Sequence, residues 1–175
     1  NSTETIHKEY GFEFLVDVSK VYFSPRLSSE RKRVADQVCS GENVFDMFSG
    51  IGPFTVPIAS KGAIVTATDI NDLAIDYLLK NISKNNVEQN VTAHNGDVRN
   101  IANDYSNWAD RIIMNLPHSA NDFLDVAFNI AGKKCTLHYY SISELDDPFT
   151  EDISVLHNVS QEHEVTILNE KIIRS

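Results

Sequence analysis

From Asn43 onward the chain repeats one pattern: a short, mostly apolar run, a polar or glycine-bearing turn, then a stretch of helical spacing. Such runs cover 43–47, 63–68, 90–95, 109–114 and 135–141. Short runs with little alternation suit parallel strands buried on both faces, because crossover helices cover each side. Helices are expected at 53–60, with Pro53 at the first helical position, and from a capping Asp72 to about Asn85. Further helices are expected at 119–131 and near 148–158, and a last strand at 164–173. The predicted apolar sides are Leu73, Tyr77 and Leu78 with Ile82 close by, and Phe123, Val126, Ala127 and Ile130. The alternation predicts an α/β domain with a mostly parallel, doubly wound sheet.

The first 26 residues read differently. Residues 3–9 and 12–18 alternate polar and apolar around Tyr10-Gly11, which predicts a β-hairpin or meander. Ser24-Pro25 interrupts this, and helical spacing begins with Leu27, Val34 and Val38, Ser28 serving as N-cap. The division is a hairpin and linker over 1–26 and one domain over 27–175. With 175 residues and 42% hydrophobic composition, a full core is expected. No apolar run approaches the ~20 residues of a membrane helix, and the N-terminus lacks a signal pattern. Cys39 and Cys135 have apolar neighbours and no CxxC or Cys/His cluster, so both are expected as buried, reduced thiols of a cytoplasmic protein. A net charge of −10 argues against nonspecific binding to phosphate backbones. It leaves room for a local patch, and Arg26, Arg31, Lys32 and Arg33 form the one dense basic cluster, read either as a solvated helix face or as a contact surface.

In doubly wound sheets, ligands bind beyond the carboxyl ends of the strands. The first of these ends carries Asp46-Met47-Phe48-Ser49-Gly50-Ile51-Gly52. Gly50 and Gly52 would let a ligand approach the backbone, and the next helix aims its N-terminus there. The second ends in Asp69, suited to accept from both hydroxyls of a ribose, or alternatively a capping acid. The third is followed by Gly96-Asp97, placed to meet an adenine amino group or simply a turn acid. The fourth is followed by Asn115-Leu116-Pro117, a stiffened turn with acceptors for a planar base or amide. A dinucleotide fingerprint would need glycine where Thr55 stands, and no P-loop follows the first strand. No Ser-His-Asp or zinc pattern is present among the scattered histidines.

Tyr22-Phe23-Ser24-Pro25-Arg26-Leu27-Ser28-Ser29-Glu30-Arg31 resembles the [SN]-P-R-L-x-x-E-R motif of the archaeal and eukaryotic tRNA (guanine-37 N1)-methyltransferases. Asp46 to Phe54 resembles their D-x-F-x-G-x-G-P-F loop. Asp69-Ile70-Asn71, Asp97-Val98-Arg99 and Asn115-Leu116-Pro117 follow in the family's order. The resemblance runs from about residue 20 to the end. It implies a Rossmann-like class I fold with S-adenosylmethionine (SAM) as cofactor and no metal. It implies SAM-binding roles for Tyr22, Asp46, Phe48, Gly50, Gly52, Asp69, Ile70, Asp97, Val98 and Asn115. It implies Glu30 as general base for guanine N1, Asn115 and Pro117 as holders of the target base, and Tyr22, Arg26 and Arg31 lining the catalytic pocket or touching RNA. The alternative for Glu30 is an exposed acid paired with a basic residue of its own helix.

Two departures temper the resemblance. An upstream arginine of the family would precede Asn1, as would its RNA-reading region, and the family's last strand would follow Ser175. The expectation is therefore an excised, C-terminally incomplete piece of a monomeric enzyme, weak or inactive alone. Its tRNA partner, gripped at the anticodon region, would be held mostly by the missing parts. Competing readings are the wybutosine-pathway aminocarboxypropyltransferase, another RNA or protein methyltransferase, a noncatalytic SAM-fold module, and an NAD-type dehydrogenase. Asn115-Leu116-Pro117 favours the methylase over the first, and Glu30 with Asn115 and Pro117 disfavours the noncatalytic module.

Overall fold

The computed structural model describes residues 3–142, 149–159 and 166–168. Its centre is a parallel sheet of β3 (Asn43–Asp46), β4 (Ile64–Asp69), β5 (Val91–Asn95), β6 (Ala109–Met114) and β7 (Ala131–Tyr139), in the order β5-β4-β3-β6-β7. Neighbouring residues on a strand point to opposite faces, and both faces here are dry. Val44 and Ile113 enter one apolar cluster while Phe45 and Ile112 enter the other. The first cluster takes in α1 (Ser28–Ala35), α2 (Thr55–Ala59) and α3 (Asp72–Lys84). The second takes in α4 (Val98–Ile101) and α5 (Leu124–Ile130), with α6 (Thr150–Val159) packed outside. This is the doubly wound arrangement, and the order in which strands are added reverses between β3 and β6. A ligand crevice opens at that point in such sheets.

β1 (Glu4–Glu9) and β2 (Phe12–Asp17) form an antiparallel hairpin closed by Tyr10 and Gly11, both at positive φ (47° and 89°). Two positive-φ residues make the primed turn that matches strand twist. The free edge of β2 is satisfied by α3 rather than by a third strand. The Asn81 side chain accepts from the Leu15 N–H at 2.7 Å and donates to the Leu15 carbonyl at 3.1 Å. Asn85, one turn on, treats Glu13 the same way at 3.0 and 2.8 Å. Asn81 is fully buried and also donates to the Ile51 carbonyl at 3.0 Å, so one amide joins the hairpin to the loop after β3. Replacing it with Ala strands buried backbone groups on both. Asn81→Ala is expected to lower the unfolding free energy by about 2–3 kcal/mol, read as a drop of roughly 4–12 °C in thermal melts.

Several local expectations need correction. Helix α1 is preceded by a single 3₁₀ turn, Pro25–Leu27, so Leu27 takes the cap position and Ser28 is already helical, its N–H bonded to the Pro25 carbonyl. Pro53 lies in a turn, and α2 starts two residues later. Pro57 falls within that helix's first turn, where a missing N–H breaks no helical bond. The cap of α3 is Asn71, whose side chain accepts from the Leu73 N–H, and Asp72 follows at the first helical position. Leu73 is exposed, and the inward stripe is Ala74, Ile75, Tyr77, Leu78, Asn81 and Ile82. The helix expected at 119–131 is a 3₁₀ turn, Ala120–Phe123, followed by α5. The fifth parallel strand begins at Ala131, with an irregularity opposite Ala109 and Arg111. Short helix α4 was not anticipated, since its four residues carry no periodicity. Cys39 is exposed, because the chain has left α1 by then and Val38 takes the inward position. Cys135 is partly buried, and burial pushes its thiol up to about 12. The strand expected at 164–173 lies outside the described residues apart from 166–168, which have no regular structure. No helix of the described residues is long and apolar enough to cross a membrane.

Candidate functional site

All five parallel strands end on one edge, so the turns after them share that edge. The loop after β3 is laced to β6 and β4. Met47 N–H bonds the Ile113 carbonyl, Ser49 N–H bonds the Thr68 carbonyl at 2.8 Å, and the Thr68 hydroxyl donates to the Met47 carbonyl at 2.8 Å. Gly50 N–H then donates to Asp69 Oδ2 at 2.8 Å, while Asp69 Oδ1 accepts the Asn71 N–H at 2.9 Å. Each Asp69 oxygen thus spends one acceptor site on backbone, and a carboxylate has about four. Gly52 is at φ +91°, and a Cβ there would sit 2.5 Å from Leu78 Cδ1. Only glycine lets the loop run this close to α3. A Cβ at Gly50 would meet nothing within 4 Å, so the space above that residue is open.

Asp46 lies under this loop, fully buried. Its Oδ2 accepts the Thr55 hydroxyl at 2.7 Å, and its Oδ1 has no hydrogen-bond partner among the described residues. Burial raises its carboxyl to about 7, and the charge of nearby Asp69 adds to the rise. The residue whose non-glycine identity argued against a dinucleotide fingerprint, Thr55, is therefore the partner that Asp46 needs. Neither the spacing nor the motif announced that bond.

Beyond β5, Asp97 caps α4 by accepting the Arg99 N–H at 2.9 Å and pairs with the Arg99 guanidinium at 2.5 Å. That pairing holds its carboxyl below the usual range. The turn-acid reading of Asp97 thus has a concrete form, and the carboxylate stays on the site edge. Val98 is buried in the core, and Ile70 is exposed at 75%. Phe48 packs edge-on against Phe123 (5.0 Å), and Arg99 lies over the same ring (5.2 Å). Phe123 and Arg99 thereby join Phe48 and Asp97 in one rim. Phe123, expected on the apolar side of its helix, is also partly buried against the second apolar cluster.

The residues of the upstream motif divide. Arg31 is 2% exposed and grips Glu9 with two bonds (2.8 and 2.5 Å), also donating to the Ser24 carbonyl. It ties the hairpin to α1. Lys32 pairs with Asp36, and Arg33 with Glu30. Three of the four basic residues of the cluster are thus neutralised in place, and the fourth, Arg26, is exposed. Glu30 pairs with its own helix, as the alternative reading held, but it is 2% exposed, not on the surface. Arg33 reaches it at 2.9 and 2.5 Å, and the Tyr140 hydroxyl donates to Oε1 at 2.9 Å. Tyr140 follows β7, its N–H bonds the Met114 carbonyl at the end of β6, and its ring meets Phe54 at 5.8 Å. Tyr140 therefore links Glu30 to Met114, the residue before Asn115-Leu116-Pro117, and to Phe54 of the glycine loop. Asn115 and Pro117 are half-buried there, and the Pro117 carbonyl accepts the Ile142 N–H. Tyr22 is 81% exposed.

Comparison with known proteins follows the same outline. The family described as the TRM5/TYW2 methyltransferase domain matches residues 5–168. The tRNA (guanine(37)-N(1))-methyltransferase Trm5b of Pyrococcus abyssi is 43% identical over all of this chain, which spans 52% of that protein. The crystal structure of Trm5b from Pyrococcus abyssi superposes with a TM-score of 0.93 over 99% of this chain and 52% of that one. A tRNA(Phe) (4-demethylwyosine(37)-C(7)) aminocarboxypropyltransferase of Methanocaldococcus jannaschii is 41% identical over 79% of this chain and 55% of its own length. The complex of aTrm5 with tRNALeu (TM-score 0.83, 40% identical, 90% of this chain and 45% of that one) is also similar. So is M. jannaschii TYW2 bound to AdoMet (TM-score 0.84, 37% identical, 93% and 74%). The chain spans about half the length of the curated relatives it matches.

Proposed function

Because the chain belongs to the TRM5/TYW2 methyltransferase domain family, we propose that it is the catalytic domain of a tRNA methyltransferase that uses SAM to methylate N1 of guanosine 37. The observation that supports this reading is the link through Tyr140 between Glu30 and the end of β6, just before Asn115-Leu116-Pro117. A base for guanine N1 and a holder for the base edge then flank one spot, next to a loop fit for the methyl donor.

The described residues suit SAM. The space over Gly50 is open, Asp69 has acceptor sites beyond its two backbone bonds, and Asp46 Oδ1 is a buried acceptor without a partner. When bound, SAM supplies an electrophilic methyl group on a sulfonium. Asp69 would hold the ribose, Asp97 the adenine, with Val98 lending its backbone and Ile70 and Phe48 apolar surface. Gly50 and Gly52 would pass the methionine part, and Asp46 would face its cationic end. Guanine N1 carries a proton and is a poor nucleophile near neutral pH. Glu30 would take that proton as the nitrogen gains its methyl, a step worth about 10²–10⁴-fold. Asn115 and Pro117 would hold the base in line, which lowers the entropic part of the barrier. Arg26 and Tyr22, both exposed, would meet the RNA or close over the base. The tRNA partner, a monomeric state and a cytoplasmic location belong to the same proposal.

The test uses the full-length gene product with methyl-labelled SAM and unmodified tRNA, followed by mass spectrometry of the nucleosides. N1-methylguanosine at position 37 is the expected product. An aminocarboxypropyl adduct in a parallel reaction on tRNA carrying 4-demethylwyosine would instead assign the chain to the branch of its 41%-identical relative. SAM binding without any nucleoside product would overturn the substrate assignment.

A further inference from the structure

Glu30 is buried almost completely, yet a base must keep one oxygen aimed at the proton it removes. Its carboxylate is fixed from two directions. Arg33, one turn along α1, binds it through two nitrogens, and Tyr140 arrives from the far side of the site, beyond β7. Tyr140 is itself immobilised at three points: the backbone bond to Met114, the ring contact with Phe54, and the bond to Glu30. Those points belong to the strand that presents Asn115, to the glycine loop, and to the base. We infer that Tyr140 is a positioning residue for Glu30, setting the carboxylate's direction relative to both the base-holding turn and the cofactor loop. The inference rests on the reading of Glu30 as the base.

The chemistry of the hydroxyl fits. Burial, then the Glu30 charge, pushes the Tyr140 phenol well above its ordinary value, so it remains a donor. A donor to a carboxylate favours its ionised form, the form that accepts a proton. Other charged or titratable groups face this spot among the described residues. Arg33 comes from the same helix, and its charge is reinforced by Glu30. His138 on β7 is held down at about 4 by burial, with Arg111 and Arg33 adding to it, so it is neutral through the working range. Arg111 on β6 lies behind it, donating to His138 at 2.7 Å and paired with Glu42.

The variant Tyr140→Phe removes the hydroxyl and keeps the ring and backbone contacts. Single-turnover methyl transfer by the full-length gene product is measured from pH 5 to 8.5, with SAM affinity by titration calorimetry. The expected result is a roughly tenfold lower rate at neutral pH and an acid limb displaced upward by about one pH unit, the worth of one hydrogen bond to a charged group. SAM affinity stays within twofold. A rate within twofold of wild type at every pH would overturn the inference. So would a SAM affinity that falls in step with the rate, because the hydroxyl would then be supporting the fold. Glu30→Gln is run alongside. If it keeps the wild-type rate, the base assignment itself fails; if it is inactive while Tyr140→Phe is unaffected, only the role of Tyr140 fails.

Discussion

Glu30→Gln in the full-length gene product is expected to slow methyl transfer by about 10²–10⁴-fold, the usual contribution of a positioned base, while SAM still binds. The amide has nearly the shape of the carboxylate and can still accept from the Tyr140 hydroxyl, so the local packing survives. It cannot take a proton from guanine N1. Arg33 loses a charged partner, but its side chain is 32% exposed and water can replace the bond. The stability cost is about 1–3 kcal/mol, because Glu30 is buried and the amide nitrogen faces the Arg33 Nε donor. A thermal melt and a SAM titration on the same preparation separate lost chemistry from lost fold. Rapid, wild-type transfer by the glutamine variant would remove Glu30 from the mechanism and leave the SAM site untouched.

The legible part of this molecule was the part governed by periodicity and by turn chemistry. The strands of the parallel sheet announce themselves because both faces are buried, and the run Val44-Phe45 serves both apolar clusters. The hairpin announces itself through alternation and Tyr10-Gly11. The ends of β3, β4 and β6 were found because polar residues at the carboxyl edge are conspicuous after apolar runs. What could not be read is pairing across long sequence distances. Nothing near Glu30 signals that residue 140 will donate to it, and nothing near Asn81 signals that it will close the edge of β2. Arg31 looked like part of a charged patch because its partner is elsewhere: Glu9 lies 22 residues upstream. Caps failed by one residue at α1, where the 3₁₀ turn Pro25–Leu27 leads into the helix and Leu27 caps it without a side-chain bond, and at α3, where Asn71 and Asp72 both accept from Leu73.

Asp46→Asn is expected to make the fold more stable relative to wild type as pH rises, and to bind SAM less well. The folded-state carboxyl is raised from 3.8 to about 7, chiefly by burial. The folded protein therefore holds this proton more tightly than the unfolded chain does. Its contribution to stability is fully present below about pH 4 and is lost as pH climbs through 7. A rise of roughly three units corresponds to about 4 kcal/mol between those limits. Wild type alone would hide the slope, because His138 acts oppositely over part of the range. Its folded value is lowered from 6.5 to about 4, so it costs stability as pH falls from 6.5 to 4. The carboxylates held low, Glu13 among them at about 2, change only in more acidic solution. Subtracting the wild-type profile from that of the variant cancels these contributions and leaves Asp46. The difference should favour the variant increasingly from pH 4.5 to 8, less a constant of about 1–3 kcal/mol for a buried amide without a full set of partners. Denaturant melts at several pH values measure it, and a flat difference would mean that Asp46 is not the strained acid of the site. The same melts with saturating SAM complete the argument. A cation delivered to the unpartnered Oδ1 relieves the wild-type penalty, so ligand protection, which follows affinity, should shrink in the variant as its ligand-free stability grows. Equal protection of both proteins would place the cationic end of the cofactor away from Asp46.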